Sequence, residues 1–141
     1  MTAPGFGIRR SGFAVTAALL VAGCAGSTPT TPSTTSSAPA SETWSGTVAP
    51  GGQTSRSFTV SAAGTINVTL TAAGTTPIGV GVGLPRLTGG GCRLGLSVDA
   101  TPGTTPQIST QAEAGQYCVQ VYDLGTISGD PVGFALKIDH P

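Results

Sequence analysis

Few residues in this 141-residue chain have side chains suited to catalysis or ligation, and their placement narrows what that chemistry can be. The chain has one histidine (His140), three cysteines (Cys24, Cys92, Cys118) and six carboxylates (Glu42, Asp99, Glu113, Asp123, Asp130, Asp139). A catalytic base must be held rigidly and oriented by a partner. His140 is penultimate, where chains fray, and its neighbour Asp139 points the other way if the segment is extended. Serines abound, but the strained Gly-x-Ser-x-Gly elbow of serine hydrolases does not occur. Asp99, Asp123 and Asp130 fall at strand ends or in loops. They read as solvated turn acids rather than a glycosidase pair, and a loop Ca²⁺ site is left open. Cys92, Cys118 and His140 supply too few ligands for a structural metal. Gly79-x-Gly81-x-Gly83 invites comparison with phosphate-binding loops, yet it lies inside a strand pattern with no helix after it. Glycines there suit a bend or the close approach of another backbone. The expectation is therefore no enzyme, no cofactor, no metal and no nucleotide. The remaining binding candidates are aromatic: Tyr122, of outward parity in its strand, and Trp44, at the start of the first strand.

The third cysteine has a different setting. Arg9 and Arg10 precede an 11-residue run, Phe13 to Gly23, in which Thr16 is the one polar residue. A bilayer-spanning helix needs about 20 residues, so the run matches the apolar part of a signal peptide. It ends Leu20-Val21-Ala22-Gly23-Cys24. An aliphatic residue, two small residues and a cysteine resemble the lipobox of bacterial lipoproteins. That resemblance implies cleavage before Cys24 and lipid on its thiol, with residues 1–23 removed. It also implies an exported protein held on the extracytoplasmic side of a membrane, the outer membrane if the cell has one.

Residues 24–41 follow as a tether. From Ala25 to Ser41 the chain has five Ser, five Thr and three Pro and no hydrophobic period, the composition of a disordered spacer. From Cys24 onward there are four basic and six acidic side chains, a formal charge of −2. No basic patch exists, which disfavours nucleic acid as a partner. Charged residues make up 9% of the chain, against about 25% in typical globular proteins. The surface must then be Thr, Ser, Gly and Gln.

What positions these residues is a period-two pattern over residues 42–141. Phe58/Val60, Ile66/Val68/Leu70, Ile78/Val80/Val82/Leu84, Leu94/Leu96/Val98, Tyr117/Val119/Val121 and Phe134/Leu136/Ile138 each alternate with polar or tiny residues. Turn signals such as Pro50-Gly51-Gly52, Gly89-Gly90-Gly91 and Ser128-Gly129-Asp130-Pro131 separate them. The prediction is an all-β fold: one antiparallel β-sandwich of seven or eight strands, jelly-roll-like.

Several stretches resemble the bacterial pre-peptidase C-terminal domain, a jelly-roll-like sandwich found on secreted enzymes. They are Gly46-Thr47-Val48, Phe58-Thr59-Val60, Ala63 to Leu70, Ala114 to Asp123 with its Gly115-Gln116-Tyr117 turn, and Phe134 to Ile138. With no peptidase in these 141 residues, the resemblance implies the fold and an adhesive or accessory role, not an activity.

If Cys24 carries lipid, Cys92 and Cys118 form an even pair in an exported domain, which points to a disulfide; two free thiols are the alternative. Parity complicates the pairing. Cys118 lies between Tyr117 and Val119 and should face outward, whereas Cys92 is in phase with Leu94 and Leu96, which should face inward. The expected function is a non-enzymatic, lipid-anchored envelope module that binds a protein or glycan. The alternative is an accessory or inhibitor-like partner of an exported enzyme, favoured if Pro85, Leu87, Leu124 and Ile127 form an exposed apolar patch.

Overall fold

The computed structural model describes residues 38–141; the expected signal segment, Cys24 and the tether as far as residue 37 lie outside the described residues. Period-two patterning becomes eight strands: β1 (Ala40–Val48), β2 (Gln53–Val60), β3 (Gly64–Ala73), β4 (Ile78–Pro85), β5 (Cys92–Ala100), β6 (Ile108–Ala112), β7 (Gly115–Tyr122) and β8 (Val132–His140). They form two four-stranded antiparallel sheets, ordered β1-β8-β3-β6 and β2-β7-β4-β5. Every connection crosses from one sheet to the other except β4–β5, a hairpin within its sheet. That winding is a jelly roll.

The inner faces carry the alternating apolar residues. Val60, Ile66, Val68, Leu70, Ile78, Val80, Val119, Val121, Leu136 and Ile138 are all buried between the sheets. One end of the sandwich gathers Ala40 of β1, the β2–β3 turn, the β4–β5 hairpin, the β6–β7 turn and His140. The opposite end gathers the β1–β2 turn and the loops after β3, β5 and β7.

Four details depart from the sequence reading. Strand β1 begins at Ala40, two residues inside the stretch assigned to the tether, because Ala40 and Ser41 pair with His140 and Asp139. Backbone pairing does not require apolar side chains. Strand β6 was not among the expected runs; Ile-Ser-Thr-Gln-Ala has apolar residues only at its two ends.

Third, Leu94 and Leu96 do not share a face. In the ladder between β4 and β5, Val82 opposes Leu96 and Gly83 opposes Leu94, so Gly95 is an extra, bulged residue. A bulge reverses the alternation. Leu96 and Val98 keep the inner face, while Leu94 and Cys92 turn to the outer one. Cys118 opposes Gly83 on that same outer face, which removes the parity conflict between the two cysteines.

Fourth, His140 does not fray. It is 5% exposed, pairs with Ala40 and lies against the Phe58 ring at 5.1 Å. The backbone N–H of Ser61 donates to the Pro141 oxygen at 3.0 Å, fastening the last residue.

Candidate functional site

The within-sheet hairpin β4–β5 is where sequence and geometry combine into a distinctive surface. Its base is built over a column of outward glycines on β4. A Cβ at Gly83 would strike the carbonyl oxygen of Arg93, one at Gly81 would meet Leu94 at 2.8 Å, and one at Gly79 would strike the Tyr122 ring. Each missing side chain therefore makes room for something. At Gly83 that something is backbone: β5 folds over β4, which brings Cys92 beside Cys118 of β7 although β4 separates the two strands in the sheet. The two cysteines are joined in a disulfide with their Cα atoms 5.9 Å apart, and both are buried.

Polar contacts brace the same base. The Cys92 N–H donates to Gln120 Oε1 at 3.3 Å, and Gln120 Nε2 donates to Gln53 Oε1 at 3.0 Å. Gln120 is thus buried but satisfied. Arg86 closes the loop twice: its N–H donates to the Gly91 carbonyl and its Nε to the Cys92 carbonyl, each at 3.1 Å. Between them Gly89, Gly90 and Gly91 have φ of 79°, 67° and 81°. Three consecutive left-handed residues explain the Gly-Gly-Gly triplet, since only glycine adopts that region without strain.

On this base stand Leu84, Leu87 and Leu96, which are 53%, 102% and 42% exposed and are the exposed large hydrophobic residues of the described chain. Leu87 caps the loop, beside Leu84, Pro85, Arg86, Thr88 and Arg93 around a groove of about 680 Å³. Leu84 also borders a second cleft of about 420 Å³ that reaches Leu96, Thr110 and Tyr117. Leu84 and Leu96 are in phase with the core residue Val82, yet the facing edge strand β6 has only five residues and leaves them uncovered.

Charge adds a second property. Arg56 pairs with Glu42 at 3.2 Å and Lys137 with Asp139 at 2.9 Å. Arg86 and Arg93, at the hairpin, have no carboxylate partner among the described residues. Asp99, Asp123 and Asp130 lie toward the opposite end of the sandwich, without a Lys or Arg partner among the described residues.

The patch expected from Pro85, Leu87, Leu124 and Ile127 is divided. Pro85 and Leu87 belong to the hairpin groove, whereas Ile127 is buried in the core and Leu124, also in the β7–β8 loop, is half-buried. Ile127 faces inward because Asp123 pins its loop. Asp123 Oδ1 accepts the N–H groups of Gly125, Thr126 and Ile127 at 2.9, 3.0 and 3.0 Å. Its Oδ2 accepts the Gly51 N–H at 2.7 Å. The carboxyl is held below its usual range, first by the Gly51 N–H and then by the Ile127 N–H. A carboxylate ringed by N–H donors ties the β1–β2 turn to the β7–β8 loop, a structural role.

The two aromatic candidates are not brought together. Tyr122 lies half-buried on the outer face of the second sheet with its ring over Gly79. Trp44 lies on the inner side of β1, edge-on to Phe134 at 4.9 Å and packed against the core. Trp44 is thereby a packing residue, and Tyr122 keeps one partly exposed face.

Sequence reasoning passed over a polar cluster at the hairpin end. His140 Nε2 is 3.3 Å from Glu42 Oε1, and its Nδ1 is 3.1 Å from the Pro141 oxygen. Arg56 reaches Glu42 Oε2 and, through Nη1, the Thr43 carbonyl at 3.3 Å. Both imidazole nitrogens face oxygen acceptors rather than a hydroxyl, so the cluster closes the end of the sandwich between β1, β2 and β8. The phase of His140 with Phe134, Leu136 and Ile138 was the available signal.

No protein-family model matches this chain, and no curated protein matches it. The site therefore stands on its own geometry.

Proposed function

We propose that this chain is an exported, non-enzymatic binding module, anchored to a membrane through lipid on Cys24, whose contact surface is the β4–β5 hairpin edge. The observation that carries the reading is the gathering of Leu84, Leu87 and Leu96 with Arg86 and Arg93 on a base braced by the Cys92–Cys118 disulfide. Exposed apolar side chains on a rigid base mark interaction surfaces, and a preformed surface binds with a smaller entropic cost. The disulfide supports an oxidising, extracytoplasmic setting. The Leu-Val-Ala-Gly-Cys segment supports the anchor, and the resemblance to the pre-peptidase C-terminal domain supports an adhesive or accessory role.

Hydrogen–deuterium exchange on the full chain tests this, comparing the native membrane fraction with purified protein in detergent. Slower exchange at residues 84–96 in the membrane fraction is expected. Equal exchange there, with the rest of the domain unchanged, would contradict the assignment of the surface. A second reading has one observation in its favour: Leu87, fully exposed at a loop tip, has the form of a side chain that fills a cleft on an exported enzyme. In that reading the same hairpin acts as an accessory or inhibitor-like element.

A further inference from the structure

The hairpin surface has a composition that narrows its partner. It joins protruding leucines to two guanidiniums that no carboxylate neutralises within the described residues. Leu87 and Leu84 offer an apolar tip, and Arg86 and Arg93 stand at its flanks. Apolar side chains entering the boundary between head groups and acyl chains, with basic side chains at phosphate level, are what an anionic bilayer surface binds. Arginine suits this level because its planar fork pairs with phosphate.

Direction agrees with composition. Ala40, where the chain enters the sandwich, is at the same end as the hairpin: it pairs with His140, whose strand ends beside the start of β3, and the β2–β3 turn joins that end to the start of β7, where Gly83 pairs with Cys118. Fifteen residues separate Cys24 from Ala40, a span of at most about 58 Å. Lipid on Cys24 would keep the hairpin end within that reach of the surface and raise its effective concentration there. The far end carries Asp99, Asp123 and Asp130 with no basic partner among the described residues, so an anionic surface repels it. Glu113, in the β6–β7 turn, is a carboxylate at the hairpin end outside any ion pair among the described residues, and the two arginines exceed it by one charge.

We propose that the β4–β5 hairpin docks on an anionic lipid surface, with Leu87 and Leu84 entering the interface and Arg86 and Arg93 pairing with lipid phosphates. This rests on the binding-surface reading above and adds a second membrane contact to the anchor. A protein partner would be met by contacts that anionic lipid alone does not supply.

The test uses full-length Leu87→Trp with vesicles of phosphatidylglycerol or phosphatidylcholine carrying brominated acyl chains. In phosphatidylglycerol the introduced indole should shift to the blue and be quenched, while Trp44 of the unsubstituted chain is not. Adding Arg86→Gln and Arg93→Gln should weaken the effect about 30-fold, at about fivefold per basic side chain. Equal or absent quenching in the two lipids would overturn the proposal. So would a blue shift that follows protein concentration without lipid, which would give the surface to a second copy. Cys24→Ser separates this proposal from the anchor. Quenching by anionic lipid that persists in this variant at higher lipid concentration supports docking independently of lipidation. A lipidated chain whose indole stays unquenched refutes docking and leaves the anchor standing.

Discussion

Removing the Cys92–Cys118 crosslink should cost the domain a large part of its stability while leaving the rest of the hairpin's residues in place. The two cysteines are 26 residues apart in sequence. Closing a loop of that length lowers the entropy of the unfolded chain enough to stabilise the fold by about 3.5 kcal/mol. Domains of this size hold only about 5–15 kcal/mol in total. At roughly 4–8 °C per kcal/mol, Cys92→Ala/Cys118→Ala should melt about 14–28 °C below the parent chain. Both sulfur-bearing residues are buried, so a reductant should reach them only when the hairpin opens. Reduction at neutral pH should then be slow without urea and fast with it. Thermal unfolding followed by circular dichroism, with thiol titration alongside, measures both effects. A loss below about 5 °C, or thiols that appear at once under native conditions, would refute the idea that the crosslink holds β5 across β4.

Three further outcomes follow from the same geometry. Gly83→Ala places a Cβ against the Arg93 carbonyl, where backbone must yield, and should cost about 3 kcal/mol or more in urea unfolding, at the upper end of overpacking effects. Gly79→Ala meets a side chain instead; its cost of about 1–3 kcal/mol should fall below about 1 kcal/mol when Tyr122→Ala is made first, a coupling that a double-mutant cycle reads. Asp123 titrates below its ordinary value because N–H groups hold its charged form, so its contribution is complete above the unfolded value of 3.8 and is lost as pH falls through the lower folded one. Denaturant titrations from pH 5 to pH 2 should show that decline in the parent, and Asp123→Asn should be less stable at pH 7 and flatter with pH.

Much of the fold was legible because alternation is a direct consequence of strands with one buried face. Aliphatic and aromatic residues at every second position placed β2, β3, β4, β7 and β8, and the turn glycines separated them. What escaped was set by register or by tertiary contact. Strand β6 has no continuous apolar face; it forms because β3 offers it unpaired backbone, from Gly64 opposite Ala112 to Val68 opposite Ile108. The inward assignment of Leu94 failed at one residue, Gly95, although an isolated glycine inside a strand is itself a bulge signal. Asp123 looked like a solvated loop acid, and only the fold brings Gly51 to it across 72 residues. The disulfide followed from counting cysteines, and the outward glycines of β4 already suited the close approach of another backbone; that Gly83 is the one that admits β5 at Arg93 only the fold shows. The contact surface was half legible: Pro85 and Leu87 stood out in sequence, while Leu84 and Leu96 looked like core residues until the short β6 left them uncovered.

Intact mass of the chain from its native membrane fraction, before and after reduction and alkylation, tests the anchored-module reading most directly. The predicted result is the mass of Cys24 to Pro141 plus acyl groups, with two alkylatable thiols appearing only after reduction. An unlipidated mass, or thiols that alkylate in the folded protein without reductant, would contradict it.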